Sequence, residues 1–272
     1  MRKNSKTGQL YFTRELSDAL CSLQYEVIEF CTKYVNSRTF IRLSFEYVYQ
    51  ILYFCGIIKR ITMKKSPLLK FGNVPIRTQT LYDCYSDLSS PADKIHALER
   101  EGDIIQLKRG LYVVSGEVTG KAIDARLCAN HIYGPSYVSL QWALRWYGLI
   151  PEQVHIMSSM TTLHTRRFEN KLGTFEYFHV SPPYFPIGLR IVDDNDTACI
   201  MASPEKALCD SIIHDIKRPP QSVKGLWEYL EEYLRFDTDS LKDFDTSIIE
   251  QCIAMGRKTQ ILQNLIKLIK KL

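Results

Sequence analysis

The sequence predicts an α+β protein, with an N-terminal winged helix-turn-helix domain followed by a mixed sheet-and-helix C-terminal domain. Three observations predict it. Residues 89–102, Ser-Ser-Pro-Ala-Asp-Lys-Ile-His-Ala-Leu-Glu-Arg-Glu-Gly, read as a short helix stopped by a glycine. The following residues, 103–114, Asp-Ile-Ile-Gln-Leu-Lys-Arg-Gly-Leu-Tyr-Val-Val, read as two strands around a tight Arg109-Gly110 turn. Beyond a Ser/Gly stretch, short strand-like segments give way to helical periodicity.

Composition sets the outer limits. A chain of 272 residues can bury one large or two ordinary cores. Hydrophobic residues make up 45% and charged residues 24%, the balance of a globular protein. A net charge of +5 is too mild to indicate a nucleic-acid partner alone, so a locally basic surface would have to supply the attraction. The eight cysteines are scattered without a C-x-x-C pair and read as reduced, buried thiols of a cytoplasmic protein. The most apolar run, Val48 to Ile58, is too short to cross a bilayer, and no signal-type apolar region follows the basic start.

Residues 1–62 are expected to be an N-terminal extension, helical over Leu16–Phe30 and Phe45–Leu52, or translated upstream sequence, because Met63-Lys-Lys-Ser-Pro reads as a natural start. The winged-helix domain spans 64–115. A helix begins at about Thr78, with Ile76, Leu81 and Tyr85 inward. Asp87-Leu-Ser-Ser turns the chain; Ser90 is placed to cap the next helix, Pro91 suits its first turn, and Asp93 suits the positive end of its dipole. Ile95 and Leu98 form its buried stripe. Ile105 and Leu107 then alternate with Gln106 and Lys108, the pattern of a half-buried strand.

Residues 115–120, Ser-Gly-Glu-Val-Thr-Gly, read as a linker to the C-terminal α/β domain at 121–272. A helix is expected over 121–132, broken by Gly134-Pro135, and a second over 136–148. Strands follow at 154–160, 166–168, 174–180, 189–192 and 197–201, with the Asp193–Asp196 run as a turn. Ser203-Pro-Glu-Lys caps a helix to about residue 216, and helices fill 223–234, 246–255 and 258–271. The last twenty residues hold five cations and no acid, either a solvated helix face or a phosphate-facing patch.

Three functional classes stay open. A winged helix lays its second helix in the major groove while the wing fixes phosphates. With Ile95 and Leu98 inward, Lys94, Ala97 and His96 turn outward; Ser90 opens that helix, and Thr78 and Gln79, at the start of the preceding one, are placed for phosphate contact through side chains and free amides. Lys108 and Arg109 sit at the wing tip. The same fold can instead be a protein-contact module, since residues 64–120 carry eight Lys/Arg against seven Asp/Glu. An enzyme, a metal-dependent nuclease using Asp194, Glu205 and Lys206 with Asp210 and the 193–196 acids nearby, is the third, though helix capping and turn chemistry explain those residues equally well. No H-x-x-x-H or H-E-x-x-H spacing, G-x-S-x-G elbow or phosphate-binding glycine loop appears, and no metal or other cofactor is expected. Tyr137, Trp142, Trp146 and Tyr147 would cluster on one helix.

The Glu-Gly helix end followed by Ile-Ile-Gln-Leu-Lys-Arg-Gly-Leu-Tyr, then Tyr137-Val-Ser-Leu-Gln-Trp-Ala-Leu-Arg-Trp-Tyr-Gly-Leu and Ala202-Ser-Pro-Glu-Lys-Ala-Leu-Cys-Asp, resembles the AbiEi-type antitoxins of the abortive-infection AbiE phage-defence system. The resemblance covers roughly 64–272, and the order of the blocks carries it. It implies a repressor that binds inverted repeats in its own promoter, and a C-terminal domain that counteracts a nucleotidyltransferase-like toxin without a stable complex. Lys94, Lys108 and Arg109 would then be DNA contacts. The helix at 91–101 departs from that pattern in its acids, Asp93, Glu99 and Glu101, and residues 1–62 have no counterpart.

Overall fold

The computed structural model describes residues 66–194, 197–215, 220 and 222–272, with two short backbone segments at 2–3 and 10–11. The chain divides into one compact unit over 1–64 and another over 65–272. In the first, β1 (Arg2–Lys3) pairs antiparallel with β2 (Leu10–Tyr11). The helices expected before residue 62 and the start at Met63 lie outside the described residues.

The second unit is mixed α+β. A 3-10 turn at Pro67–Phe71 precedes β3 (Ile76–Arg77), α1 (Thr78–Cys84), α2 (Pro91–Glu101), β4 (Ile104–Lys108) and β5 (Leu111–Val114). Gly102 takes φ +85, and its amide reaches back to Glu99 and Leu98, so the left-handed residue ends α2 and turns the chain into β4. The three strands form one sheet in the order β3-β5-β4, all antiparallel. Ile95 and Leu98 face inward as their spacing predicts. They meet Leu68, Ile76, Leu81, Ile104, Tyr112 and Val114 in a small core.

The hairpin differs from the half-buried strand expected. Ile104 is fully buried on the small-core side, while Ile105, Leu107, Leu111 and Val113 pack into the large core of the following residues. Both faces of the β4–β5 ribbon are therefore covered, and the blocks separated in sequence at 115 and 121 share their packing. The expected linker is a short helix, α3 (Gly116–Thr119), capped by the Ser115 hydroxyl accepting from the Glu117 amide.

After α3 come α4 (Ala125–Ile132), β6 (Ser136–Val138), α5 (Leu140–Trp146), β7 (Ile156–Thr161), β8 (Arg166–Asn170), β9 (Gly173–His179), β10 (Leu189–Asp194) and β11 (Thr197–Ala202). α4 begins four residues later than expected because Asp124 caps it, accepting from the Arg126 amide at 2.8 Å. The helix expected over 136–148 is strand, then helix. Ser136-Tyr-Val is held between β7 and a parallel contact to β11, pairings that outweigh its local pattern. Tyr137 is thereby fully buried in the sheet, apart from Trp142 and Trp146 on α5. The six-stranded sheet runs β10-β11-β6-β7-β9-β8, with β11–β6 and β7–β9 parallel.

Helices α6 (Pro204–Asp215), α7 (Val223–Glu228), α8 (Thr246–Met255) and α9 (Thr259–Ile269) close the core. A single π turn, Tyr229–Tyr233, continues α7 where α-helix was expected. On α9, Ile261, Leu262, Leu265 and Leu268 are buried while Lys267 and Lys270 are exposed on the solvated face; Lys258, at the other end, is half-buried and donates to the Ile212 carbonyl at 3.4 Å. Among the described residues no helix is long and apolar enough to cross a membrane.

Candidate nucleic-acid interface

The turn between β4 and β5 sits against the start of α1. The Thr78 amide donates to the Gly110 carbonyl at 3.1 Å, so the turn and the helix N-terminus form one corner. That contact corrects the expectation of free amides there: one of them is already used. Gly110, at φ +83, lies where a Cβ would stand 4.0 Å from Thr78 Oγ1. Gln79 is exposed, and its Nε2 donates to Asp83 Oδ1 at 3.1 Å.

The two cations of the turn part company. Arg109 is exposed. Lys108 instead donates from Nζ to the Ile132 carbonyl at 2.6 Å, the last residue of α4. Such a lysine satisfies a helix C-terminal carbonyl and meets the negative end of its dipole. Burial, with Arg166 and Arg77 nearby, pushes the Lys108 ammonium below the ordinary lysine value. Its position at the tip is as expected, but its ammonium is tethered to an internal carbonyl and does not extend from the turn as Arg109 does.

On α2, Ser90 occupies the N-cap position without a side-chain cap, and only its carbonyl is used, accepting from the Lys94 amide at 3.3 Å. The predicted hydroxyl cap is thus absent, since Ser90 at φ −139, ψ 86 departs from the usual extended cap geometry. Lys94 is half-buried on the flank. The outward stripe is Asp93, His96 and Arg100, all exposed at helical spacing. Arg100 was legible in that spacing, four residues after His96, but was missed.

Beside the turn lies a cleft of about 680 Å³ between the hairpin and β8, lined by Arg109, Arg166 and Lys171 together with Lys108 and two acids, Glu99 and Glu169. Arg166 stands over the Tyr133 and Phe168 rings, 5.9 and 5.0 Å from their centroids. The Asn170 side-chain Nδ2 donates to the Leu107 carbonyl at 3.0 Å, tying β8 to β4. No sequence signal placed Arg166 and Lys171 beside the turn, because the fold, not the chain order, brings them there.

The acids and cation of the enzyme reading are dispersed among different partners. Asp194 pairs with Arg126 at 3.2 Å. Glu205 accepts from the Asp245 amide at 3.3 Å. Lys206 lies 3.5 Å from Asp210, both fully buried. Asp210 also accepts from Ser139, Tyr184 and Tyr137 hydroxyls at 2.6, 2.8 and 3.1 Å. Burial, and then the Asp210 carboxylate, push both phenols well above their usual range. This saturated network joins α6 to the sheet. Asp196 lies outside the described residues, and among those described no cluster of three or more His, Cys, Asp or Glu could hold a metal. Burial pushes the Cys128 thiol up to about 12 and the Cys199 thiol up to about 11, so both stay protonated.

No protein-family model matches the chain, and no curated protein matches it significantly.

Proposed function

We propose that residues 66–115 form a winged helix that binds double-stranded DNA, and that the protein is a transcriptional repressor of its own promoter. The observation that carries this reading is the sheet β3-β5-β4 packed against a helix pair, with α2 presenting Asp93, His96 and Arg100 to solvent and the β4–β5 turn standing beside α1. In this arrangement α2 lies in the major groove, with His96 and Arg100 toward base edges; arginine is the side chain that reads guanine in two hydrogen bonds. Arg109, Gln79 and Thr78 meet the backbone on one side. Lys94 flanks the stripe and serves a phosphate. Ser90 acts through position rather than through its hydroxyl. Arg166 and Lys171 extend the cationic surface past the wing.

The AbiEi resemblance adds the second half of the proposal: a cytoplasmic antitoxin of a toxin–antitoxin phage-defence operon, counteracting a nucleotidyltransferase-like toxin without being an enzyme itself. Asp93, Glu99 and Glu101 on α2 favour one rival, a winged helix used for protein contact. A gel shift on the protein's own promoter, repeated across salt, separates the two. The DNA reading expects binding that weakens linearly in log salt; no shift at low salt overturns it.

A further inference from the structure

Away from the hairpin, a cleft of about 670 Å³ opens where the loop after the first 3-10 turn meets the start of α4, bordered by Asn73, Lys121, Asp124, Arg126, Trp142 and Thr197. A neighbouring recess of about 300 Å³ shares Asn73, Lys121 and Thr197 with it and adds the apolar Leu69 and Phe71. That size suits a small metabolite.

The floor is an incomplete ion network. Arg126 is 7% exposed. Its Nε and Nη2 donate to the two Asp124 oxygens at 3.0 and 2.9 Å, and Nη2 also reaches Asp194 at 3.2 Å. Thr197 donates to Asp124 at 2.8 Å. Burial alone would raise the Asp124 carboxyl, but bonds from Arg126 and Thr197 hold it below the ordinary carboxylate range. Nη1 is left over: it is buried and has no hydrogen-bond partner, the guanidinium's remaining contact being the Trp146 ring, 5.5 Å from its carbon to the centroid. An orphaned buried donor is rare in folded proteins and costs free energy until an acceptor reaches it. Lys121, exposed on the rim, adds a second cation. Trp142 supplies a flat apolar wall, so the cleft combines an oxyanion-seeking end with a surface for a planar body.

We propose that this cleft binds a small molecule carrying an oxyanion on a planar or apolar body, its oxygen accepting from Arg126 Nη1 and facing Lys121 while the body lies against Trp142. Because Nη1 is sealed from solvent, binding includes a side-chain adjustment in the wall. The oxyanion can be a phosphate ester or a carboxylate, and the proposal does not depend on DNA binding.

Calorimetry on the full chain tests it with adenosine 5′-monophosphate, benzoate, inorganic phosphate and adenosine. The expected result is saturable binding of the monophosphate or of benzoate; the first alone identifies a phosphate source, the second alone a carboxylate. Adenosine should bind at least about tenfold more weakly than its monophosphate, the worth of one charge-assisted hydrogen bond. Lys121→Ala and Trp142→Leu should each weaken binding several-fold, whereas Arg109→Ala should leave it unchanged, which separates this site from the DNA surface. Arg126→Lys should abolish it; where that variant loses its near-UV dichroism, the Lys121 and Trp142 variants decide. If neither the monophosphate nor benzoate saturates by 10 mM, on the order of the weakest useful affinity, the proposal falls. It falls equally if Lys121→Ala and Trp142→Leu bind like the parent.

Discussion

Lys108 and Arg109 are neighbours in sequence and identical in formal charge, yet their environments assign them different work. Arg109 is exposed at the turn, whereas Lys108 is anchored to the Ile132 carbonyl at 2.6 Å. Arg109→Ala should lower DNA affinity and reduce the log–log salt slope by about one unit, the effect of one lost phosphate contact. Lys108→Ala should leave that slope nearly unchanged and instead cost about 1 kcal/mol of stability, the net worth of a hydrogen bond from a charged donor with partial solvent screening. Urea unfolding and salt-dependent gel shifts on both variants check the split. Asp124 supplies a second prediction. Its folded-state pKa is depressed, so its contribution is present above the unfolded carboxylate value and is lost as pH falls through the folded one. Stability should therefore decline in acid below about pH 4, and Asp124→Asn should flatten that decline while keeping the α4 cap. An acid limb unchanged in Asp124→Asn would place the titration elsewhere.

At the scale of elements, the caps divide in the same way. The Ser115 hydroxyl accepts from the Glu117 amide, but the Ser90 hydroxyl caps nothing. Ser115→Ala should cost about 1 kcal/mol, and Ser90→Ala no more than a few tenths. Chemical denaturation distinguishes them, and equal losses would contradict the cap geometry. Elements with strong local signals were readable from the chain: α2, bracketed by Pro91 and Gly102, and α8, whose bounds Thr246–Met255 match the expected span. So were the five strands between 156 and 202, since β-branched and aromatic runs were separated by turn residues. β6 was not. Ser136-Tyr-Val has three residues and no period of its own, and its state is set by partners on β7 and β11, more than 20 and 60 residues away in the chain. Leu140 then enters α5 at φ +59, a conformation rare for a non-glycine residue that no propensity predicts. The site was legible to the same degree. The outward face of α2 follows from its period, whereas Lys108's acceptor and the approach of Arg166 are tertiary facts.

For the 65–272 unit as a whole, the β4–β5 ribbon decides how folding is coupled. One face, with Ile104, Tyr112 and Val114, belongs to the small core; the other, with Leu107, Leu111 and Val113, belongs to the large one. Residues 66–120 in isolation would bare Leu107, Leu111 and Val113 to water, each worth roughly 1.5–3 kcal/mol of lost burial. A ten-residue core has little surplus to absorb such a loss. The β4–β5 hairpin should therefore not unfold ahead of the rest. All three tryptophans, Trp142, Trp146 and Trp227, lie after residue 120, so their fluorescence follows the larger block. Hydrogen exchange at the β4 and β5 amides follows the hairpin. Both should report the same opening free energy, and Val113→Ala should lower both together by about 1–3 kcal/mol. Hairpin amides that exchange through a cheaper opening than the fluorescence transition, with Val113→Ala moving only one of the two, would mean that the ribbon rests on the large core without being held by it. The consequence reaches the proposed function, because a hairpin packed on both faces holds Arg109 in one place beside the start of α1, so that the proposed phosphate contact would need no reordering of the turn.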